Sequence, residues 1–358
     1  MFRRHASRLP RSLQAFLGLF GLVLILSACG GGPTVATSTG RVLYVATTSG
    51  IYGFSIMSTG TLNPLSTQPL VSNTDILQIA ATPGIPPGQS GPLLLAANGT
   101  SSVSTWTIGG GGSLTPTTIS VSSCSSSLSN ITGLTVTSDS QYLILVDGNS
   151  QGGSSNVNLG LIPFSKTSQC TTGYTSNTSA SAYPLQPAID CAVPASTSCI
   201  LFLTISSASI SSSNFSNSTL TTPQEIQVTL STPAFTIPSN PTPFSCTTPG
   251  CPLGVAFDPT TVFFYASFTG TNPPTLQSIA EGAKNATAQV SFPSSAPVNY
   301  PCVDTIGGVV YTPSSNGYLY ASQTNASGGL SAPSTVLTSS SLPTSSLDMV
   351  SCAVVSNP

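Results

Sequence analysis

An all-β chain is predicted on three observations. Apolar runs rich in β-branched and aromatic residues recur from end to end: Val42-Leu43-Tyr44-Val45-Ala46, Leu93-Leu94-Leu95-Ala96-Ala97, Tyr142-Leu143-Ile144-Leu145-Val146, Ile200-Leu201-Phe202-Leu203, Val262-Phe263-Phe264-Tyr265 and Val309-Val310-Tyr311. Their spacing is roughly 50 residues, wider around the third and fourth intervals, and each interval holds several short strands, the mark of a β-propeller. Helical periodicity is nowhere sustained over about a dozen residues, and Gly, Pro, Ser and Asn interrupt the chain too often to allow it. The third observation concerns the ends. A short inner strand precedes each apolar run (Ile76 to Ala80, Leu134 to Thr137, Ala188 to Val193, Gly254 to Phe257, Pro301 to Thr305), except that Val42 has none before it and Met349 to Val355 has no outer strand after it. The two ends therefore share one blade, with the C-terminal strand joining the N-terminal blade and leaving no free edge between them. Six blades are counted in this way.

At the start of the chain, Arg3, Arg4, Arg8 and Arg11 precede an apolar run of eleven residues, Phe16 to Leu26. That run is within signal-peptide length and too short to span a bilayer comfortably. It leads into Leu26-Ser27-Ala28-Cys29-Gly30, which resembles the lipobox of bacterial lipoproteins. The resemblance implies that residues 1–28 are a signal peptide, that Cys29 is acylated (palmitate among the acyl groups), and that the mature chain is lipid-anchored in the cell envelope. Gly30, a non-aspartate after the cysteine, resembles outer-membrane sorting. Residues 29–40 are expected to be a flexible tether and residues 41–358 the propeller domain.

Loss of the signal segment would remove the single histidine, His5, and four of the seven basic residues, leaving Arg41, Lys166 and Lys284 against nine carboxylates. Phosphate recognition needs clustered Lys and Arg, so nucleic-acid binding is not expected. Charged residues are only 4 % of the chain, while 39 % hydrophobic content in short β-rich runs supplies a core that a disordered polar chain lacks. A monomer is expected.

Eight cysteines remain beyond Cys29, an even number suited to an oxidising compartment. Cys246 and Cys251 flank the turn-forming Thr247-Thr248-Pro249-Gly250, and Cys191 and Cys199 would face each other across a hairpin. Cys124 with Cys170 and Cys302 with Cys352 are then the remaining pairs. A zinc site would need CxxC or histidine spacing, and neither is present, so no metal ligands are assigned there.

The second strand and its tail repeat most sharply. Gly50-Ile51-Tyr52-Gly53-Phe54-Ser55-Ile56 runs into Gly60-Thr61-Leu62-Asn63-Pro64, and Val103-Ser104-Thr105-Trp106-Thr107-Ile108 runs into Gly112-Ser113-Leu114-Thr115-Pro116. Gly317 to Ser322 followed by Gly329-Leu330-Ser331-Ala332 is a looser copy. The glycine supplies a left-handed turn, the leucine drops between adjacent sheets, and the proline ends an edge strand. Strand, turn, strand, then G-x-L-x-P resembles the lactonase-type, phosphogluconolactonase-like (YVTN-like) β-propeller family over almost all of Arg41 to Pro358. That family usually has seven blades, so seven is the alternative to the six counted here. Tyr52 and Trp106 fall inside the repeat and read as packing between sheets, and Ser206 to Thr222 as a loop inserted in blade four.

The family resemblance implies lactone hydrolysis by His, Glu and Arg around a central channel, yet no such residue falls at a matching position here. A Ser-His-Asp triad lacks its histidine, and a Ser-Lys pair would need Lys166 or Lys284, neither in a nucleophile motif. Glu225 and Glu281 read as outer strand and loop. The remaining candidates are carboxylates beside the inner strands, Asp75, Asp190, Asp304 and Asp348, which at a channel mouth would ligate Ca²⁺ or bind a sugar hydroxyl. Their plainer role is to cap strand ends. Asp139 and Asp258 read as turn residues. The expected function is a non-catalytic envelope lipoprotein whose propeller binds a protein or polysaccharide partner, with no cofactor unless Ca²⁺. The alternative is a lactonase-like or other hydrolase using carboxylates at the channel, such as a pair ~5 to 9 Å apart.

Overall fold

The computed structural model describes residues 37–72, 75–124, 127–148, 157–173, 183–191, 198–206, 220–236, 251–269, 271–283, 285–293, 297–338, 342 and 348–356. Among them the chain forms six antiparallel sheets, and residues 38–358 make one compact unit. Blade one is ordered β25 (Met349–Ser356), β1 (Ser38–Thr47), β2 (Gly50–Met57) and β3 (Leu62–Pro64), with β4 (Val71–Ser72) also pairing β2. Blade two is β5 (Gln78–Ala81), β6 (Leu93–Ala97), β7 (Val103–Ile108) and β8 (Leu114–Thr117); blade three is β9 (Ile131–Val136), β10 (Tyr142–Gly148), β11 (Val157–Pro163) and β12 (Thr171–Gly173). Blade four comprises β13 (Tyr183–Asp190), β14 (Ser198–Ser206), β15 (Leu220–Thr229) and β16 (Ala234–Thr236). Blade five comprises β17 (Gly254–Asp258), β18 (Phe263–Phe268), β19 (Thr275–Ala280) and β20 (Ala288–Ser291), and blade six β21 (Cys302–Asp304), β22 (Val309–Pro313), β23 (Tyr318–Gln323) and β24 (Ser334–Thr338).

The apolar runs are the second strands, and the packing explains why they do not alternate with polar residues. Six hydrophobic clusters fill the six seams between blades, and each second strand divides its side chains between two of them. Tyr44 and Ala46 face blade two with Leu94, Ala96 and Trp106, whereas Leu43 and Val45 face blade six with Tyr311 and Leu319. Leu93 and Leu95 in turn face blade three, with Leu143 and Leu145. A strand covered on both faces reads as a continuous apolar run rather than an alternating one. Tyr52 and Trp106 are buried in these seams, as the repeat implied. Leu62, Leu114 and Leu330 each pack against a seam cluster. In the looser copy the left-handed glycine is Gly328 rather than Gly329.

Closure is effected by β25, which pairs β1 from Arg41↔Ser356 to Ala46↔Ser351. The Arg41 guanidinium adds an ion pair to Asp304, at the end of the inner strand of blade six. Three of the predicted disulfides are present. Cys302–Cys352 joins the inner strands of blades six and one, Cys191–Cys199 spans the β13–β14 hairpin, and Cys124–Cys170 staples blade three. Cys251 is itself disulfide-bonded, while Cys246 lies outside the described residues.

Some boundaries differ from the sequence reading. β1 begins at Ser38, within the stretch assigned to the tether, because Ser38 still pairs with Met57. Val262 is not the first residue of a strand; it completes the turn before β18, with φ at 55°. Of the insertion read in blade four as Ser206 to Thr222, both ends are strand, Ser206 closing β14 and Leu220 to Thr222 opening β15, because the two strands pair out to Ser206↔Leu220; residues 207–219 lie outside the described residues, as do the signal segment, Cys29 and Lys284.

Candidate functional site

The six inner strands surround a central cavity of about 410 Å³. Every blade contributes: Ile79, Leu134, Ile189, Val255, Val303 and Val354 all lie on its wall. Within its sheet each inner strand has a ladder on one side only, with single further bridges at Ser351 and Ile131, so most of the other edge of its backbone faces inward. The cavity therefore combines mainly apolar side chains with a few neutral polar ones and with peptide donors and acceptors.

Each blade's inner strand runs in the same direction, so the connections between first and second strands gather at one end of the ring. Pro83, Ser138, Pro259, Thr305 and Ile306 come from those connections and line the cavity, which places its mouth there. Toward the other end, side chains link the inner strands, mostly of neighbouring blades. Gln78 accepts from the Leu134 amide at 2.9 Å, Gln186 donates to the Pro301 carbonyl at 3.2 Å, and Asn299 donates to the Met349 carbonyl at 2.6 Å. The Ile79 amide donates to the Ser351 hydroxyl at 3.3 Å. The Gln186 side-chain oxygen is buried without a hydrogen-bond partner, beside Gly254.

Gly254 is there for space. A Cβ at this position would lie 2.6 Å from the Gln186 oxygen and 2.9 Å from both Tyr300 and Pro301. Gly254→Ala should therefore push Gln186 off Pro301 and cost about 1 to 3 kcal/mol, as overpacking does. A urea-unfolding midpoint equal to that of the parent chain would contradict this.

The four candidate aspartates do not converge on the channel. Asp75 and Asp348 precede the first residues of β5 and β25, at the closed end; Asp190 and Asp304 are the last residues of β13 and β21, at the open end. None of them lines the central cavity. Asp304 is buried, paired with Arg41, and accepts from the Gly307 amide at 3.0 Å. It borders a second cavity of about 750 Å³ at the seam of blades six and one, formed with Met57–Leu62 and Gln323. Asp348 is partly covered, and its carbonyl accepts from Thr48 at 3.1 Å. Burial raises its carboxyl above the ordinary range. Among the described residues no group of three or more His, Cys, Asp or Glu side chains is placed to hold a metal ion. Asp139 and Asp258 are turn residues: Asp139 accepts from Thr137 and the Gln141 amide, and Asp258 from Thr260 and Thr261.

A carboxyl pair that the sequence did not suggest lies at the seam of blades four and five. Asp190 is 2 % exposed, and Glu281, in the turn after β19, is its electrostatic neighbour. Burial first, and Glu281 second, push the Asp190 carboxyl up to about 7. The two residues are 91 positions apart, so only blade stacking brings them together. Asp190 binds its proton more tightly when folded than at its ordinary value of 3.8, so between about pH 4 and about pH 7 the folded chain holds a proton that the unfolded chain has released. Stability should fall as pH rises through that window. Asp190→Asn should flatten the fall, read as urea midpoints at about pH 4 and about pH 8; an unchanged slope would contradict the assignment.

No protein-family model matches this chain, and no curated protein does. Solved structures do match. A chain of the crystal structure of a nidogen/laminin complex superposes with a TM-score of 0.55 at 11 % identity, covering 88 % of this chain and 99 % of that one. This chain is a six-bladed β-propeller. A functionally unknown protein from Desulfotomaculum acetoxidans DSM 771 is similar at a TM-score of 0.50 and 14 % identity, covering 82 % of this chain and 79 % of that one. At such identities the likeness extends to the propeller fold alone, and neither the lactonase-type nor the lipoprotein resemblance has support from these matches.

Proposed function

We propose that this propeller is a non-catalytic binding or scaffold domain, carried on a lipid-anchored chain of the cell envelope, that takes a protein or polysaccharide partner. The observation that carries the reading is the chemistry of the channel. Among the described residues its wall has no Asp, Glu, Lys, Arg or His; the polar groups they offer are backbone edges with Gln78, Gln186, Thr135, Ser138, Thr305 and Ser356, and the cysteines among them, Cys302 and Cys352, are joined in a disulfide. General acid–base or nucleophilic hydrolysis needs a titratable group or activated nucleophile within reach of substrate. Neutral hydrogen-bonding groups set in an apolar wall suit recognition of uncharged hydroxyls or amides.

The hydrolase alternative loses its channel carboxylates for the same reason, since the Asp190–Glu281 pair lies in a seam between blades. The test is a glycan and peptide binding screen on the chain beginning after Cys29, with and without Ca²⁺. Binding to a neutral saccharide or peptide, lost in Gln186→Ala, is the expected result; turnover of a lactone or glycoside abolished by Asp190→Asn would reverse the reading.

A further inference from the structure

We infer that the open end of the propeller is a membrane-resting face, on which Ile85, Val262 and Ile306 meet the lipid of the bilayer that holds the anchor. This rests on the envelope-lipoprotein reading above and adds an orientation to it. Four large hydrophobic side chains are exposed among the described residues, and three of them stand on first-to-second-strand connections: Ile85 at 60 %, Val262 at 47 % and Ile306 at 69 %. Those connections belong to blades two, five and six and ring the channel mouth, where Pro83 and Pro259 add further apolar surface. The fourth, Tyr318, begins the third strand of blade six, at the opposite end.

Val262 sharpens the point. A β-branched residue at a φ of 55° is held where its side chain is disfavoured, and here it is also solvent-exposed. Glycine or asparagine would suit that backbone better, and about half of the valine's surface is left open to solvent.

The occupant is indicated by where the chain enters. β1 starts at Ser38 on this same face, since Arg41 pairs with Ser356 beside the channel mouth. Ser38 lies nine positions after Cys29, a reach of at most ~30 Å. An acyl group on Cys29 therefore keeps this face, rather than the opposite one, close to the bilayer. Charge does not distinguish the two ends: the open end carries Asp139, Asp258 and the exposed Glu281, with Asp304 paired to Arg41 and Lys166 exposed in the turn after β11, so contact with the bilayer rests on the apolar side chains and the tether.

The experiment uses the full chain, matured in a bacterial host and reconstituted into phosphatidylethanolamine/phosphatidylglycerol vesicles with a nitroxide-labelled lipid. Ser138→Cys, at the open end, and Ser101→Cys, in the β6–β7 turn at the closed end, are each labelled with a fluorophore. Quenching several-fold greater at position 138 than at 101 is expected, and adding I85S, V262S and I306S to the Ser138→Cys chain should erase most of that excess. Equal quenching at the two positions, or greater quenching at 101, overturns the orientation. The mass of the N-terminal peptide separates the two readings: an unacylated Cys29 brings down the anchor and this inference together, whereas an acylated Cys29 with no quenching difference brings down this inference alone.

Discussion

Replacing Cys302 and Cys352 by alanine is expected to cost about 4 kcal/mol of stability, more than loss of any other described disulfide. The bond closes a segment of 50 residues, for which the entropy restored to the unfolded chain is about 4 kcal/mol. Cys191–Cys199, with a separation of 8, should give only about 2.5 kcal/mol by the same relation. Chain entropy is not the whole difference. Cys124–Cys170 has nearly the same separation, 46, but ties the connection that leads into blade three to the residue before that blade's own outer strand β12. Cys302–Cys352 joins blade six to blade one, and both half-cystines are buried in the seam with Val45, Tyr311 and Met349. Removing it should lower the urea midpoint further than removing Cys124–Cys170, and should broaden the transition as the terminal strand begins to detach separately. Equal midpoints for the two double variants would mean that closure does not depend on this bond.

What the sequence disclosed, and what it hid, follows from which contacts are local. Ring closure was legible because the strand pattern is short-range: Met349 to Val355 reads as an unaccompanied inner strand, and only one sheet lacks its own. Blade number was legible for the same reason, with six apolar runs giving six second strands. Of the disulfides, Cys191–Cys199 is local enough to read from its hairpin, whereas Cys302–Cys352 comes from the sequence only as a remainder, and the structure supplies its reason in the seam that brings the two inner strands together. The site was another matter. Placing Asp75, Asp190, Asp304 and Asp348 beside inner strands was correct in sequence terms, but whether such a residue falls at the start or the end of its strand assigns it to opposite ends of the ring. The start and end of β13 were also misjudged, because Pro184 and Pro187 disguise its first half. The Asp190–Glu281 pair and the Arg41–Asp304 pair join residues 91 and 263 positions apart. No periodicity carries that information. Gln186 was passed over for a similar reason: a lone amide in a proline-flanked strand gives no sign that it will span from blade four to blade six.

Val355→Asp should have the largest effect of any single substitution considered, and should prevent closure rather than merely weaken it. Val355 is 1 % exposed, pairs with Val42, and packs in the seam of blades one and two with Tyr44 and Ile79 as members of the same cluster. A carboxylate there would enter an apolar seam, and an unpaired buried charge costs several kcal/mol, a large part of the roughly 5 to 15 kcal/mol that holds a domain folded. The chain has a cheaper escape, which is to release β25. Release would expose the edge of β1, whose run Val42 to Ala46 is wholly apolar, and such an edge recruits other chains. The expected outcome is therefore loss of monomer on size exclusion and recovery in the insoluble fraction, not a soluble protein of lower midpoint. Ser356→Asp is the matched control. It lies one residue further along the same strand and borders the channel mouth rather than a seam, so water can reach the new charge. Soluble, monomeric Ser356→Asp beside aggregated Val355→Asp would show that closure depends on the seam; a soluble Val355→Asp with an unshifted midpoint would show that the ring does not need its last strand.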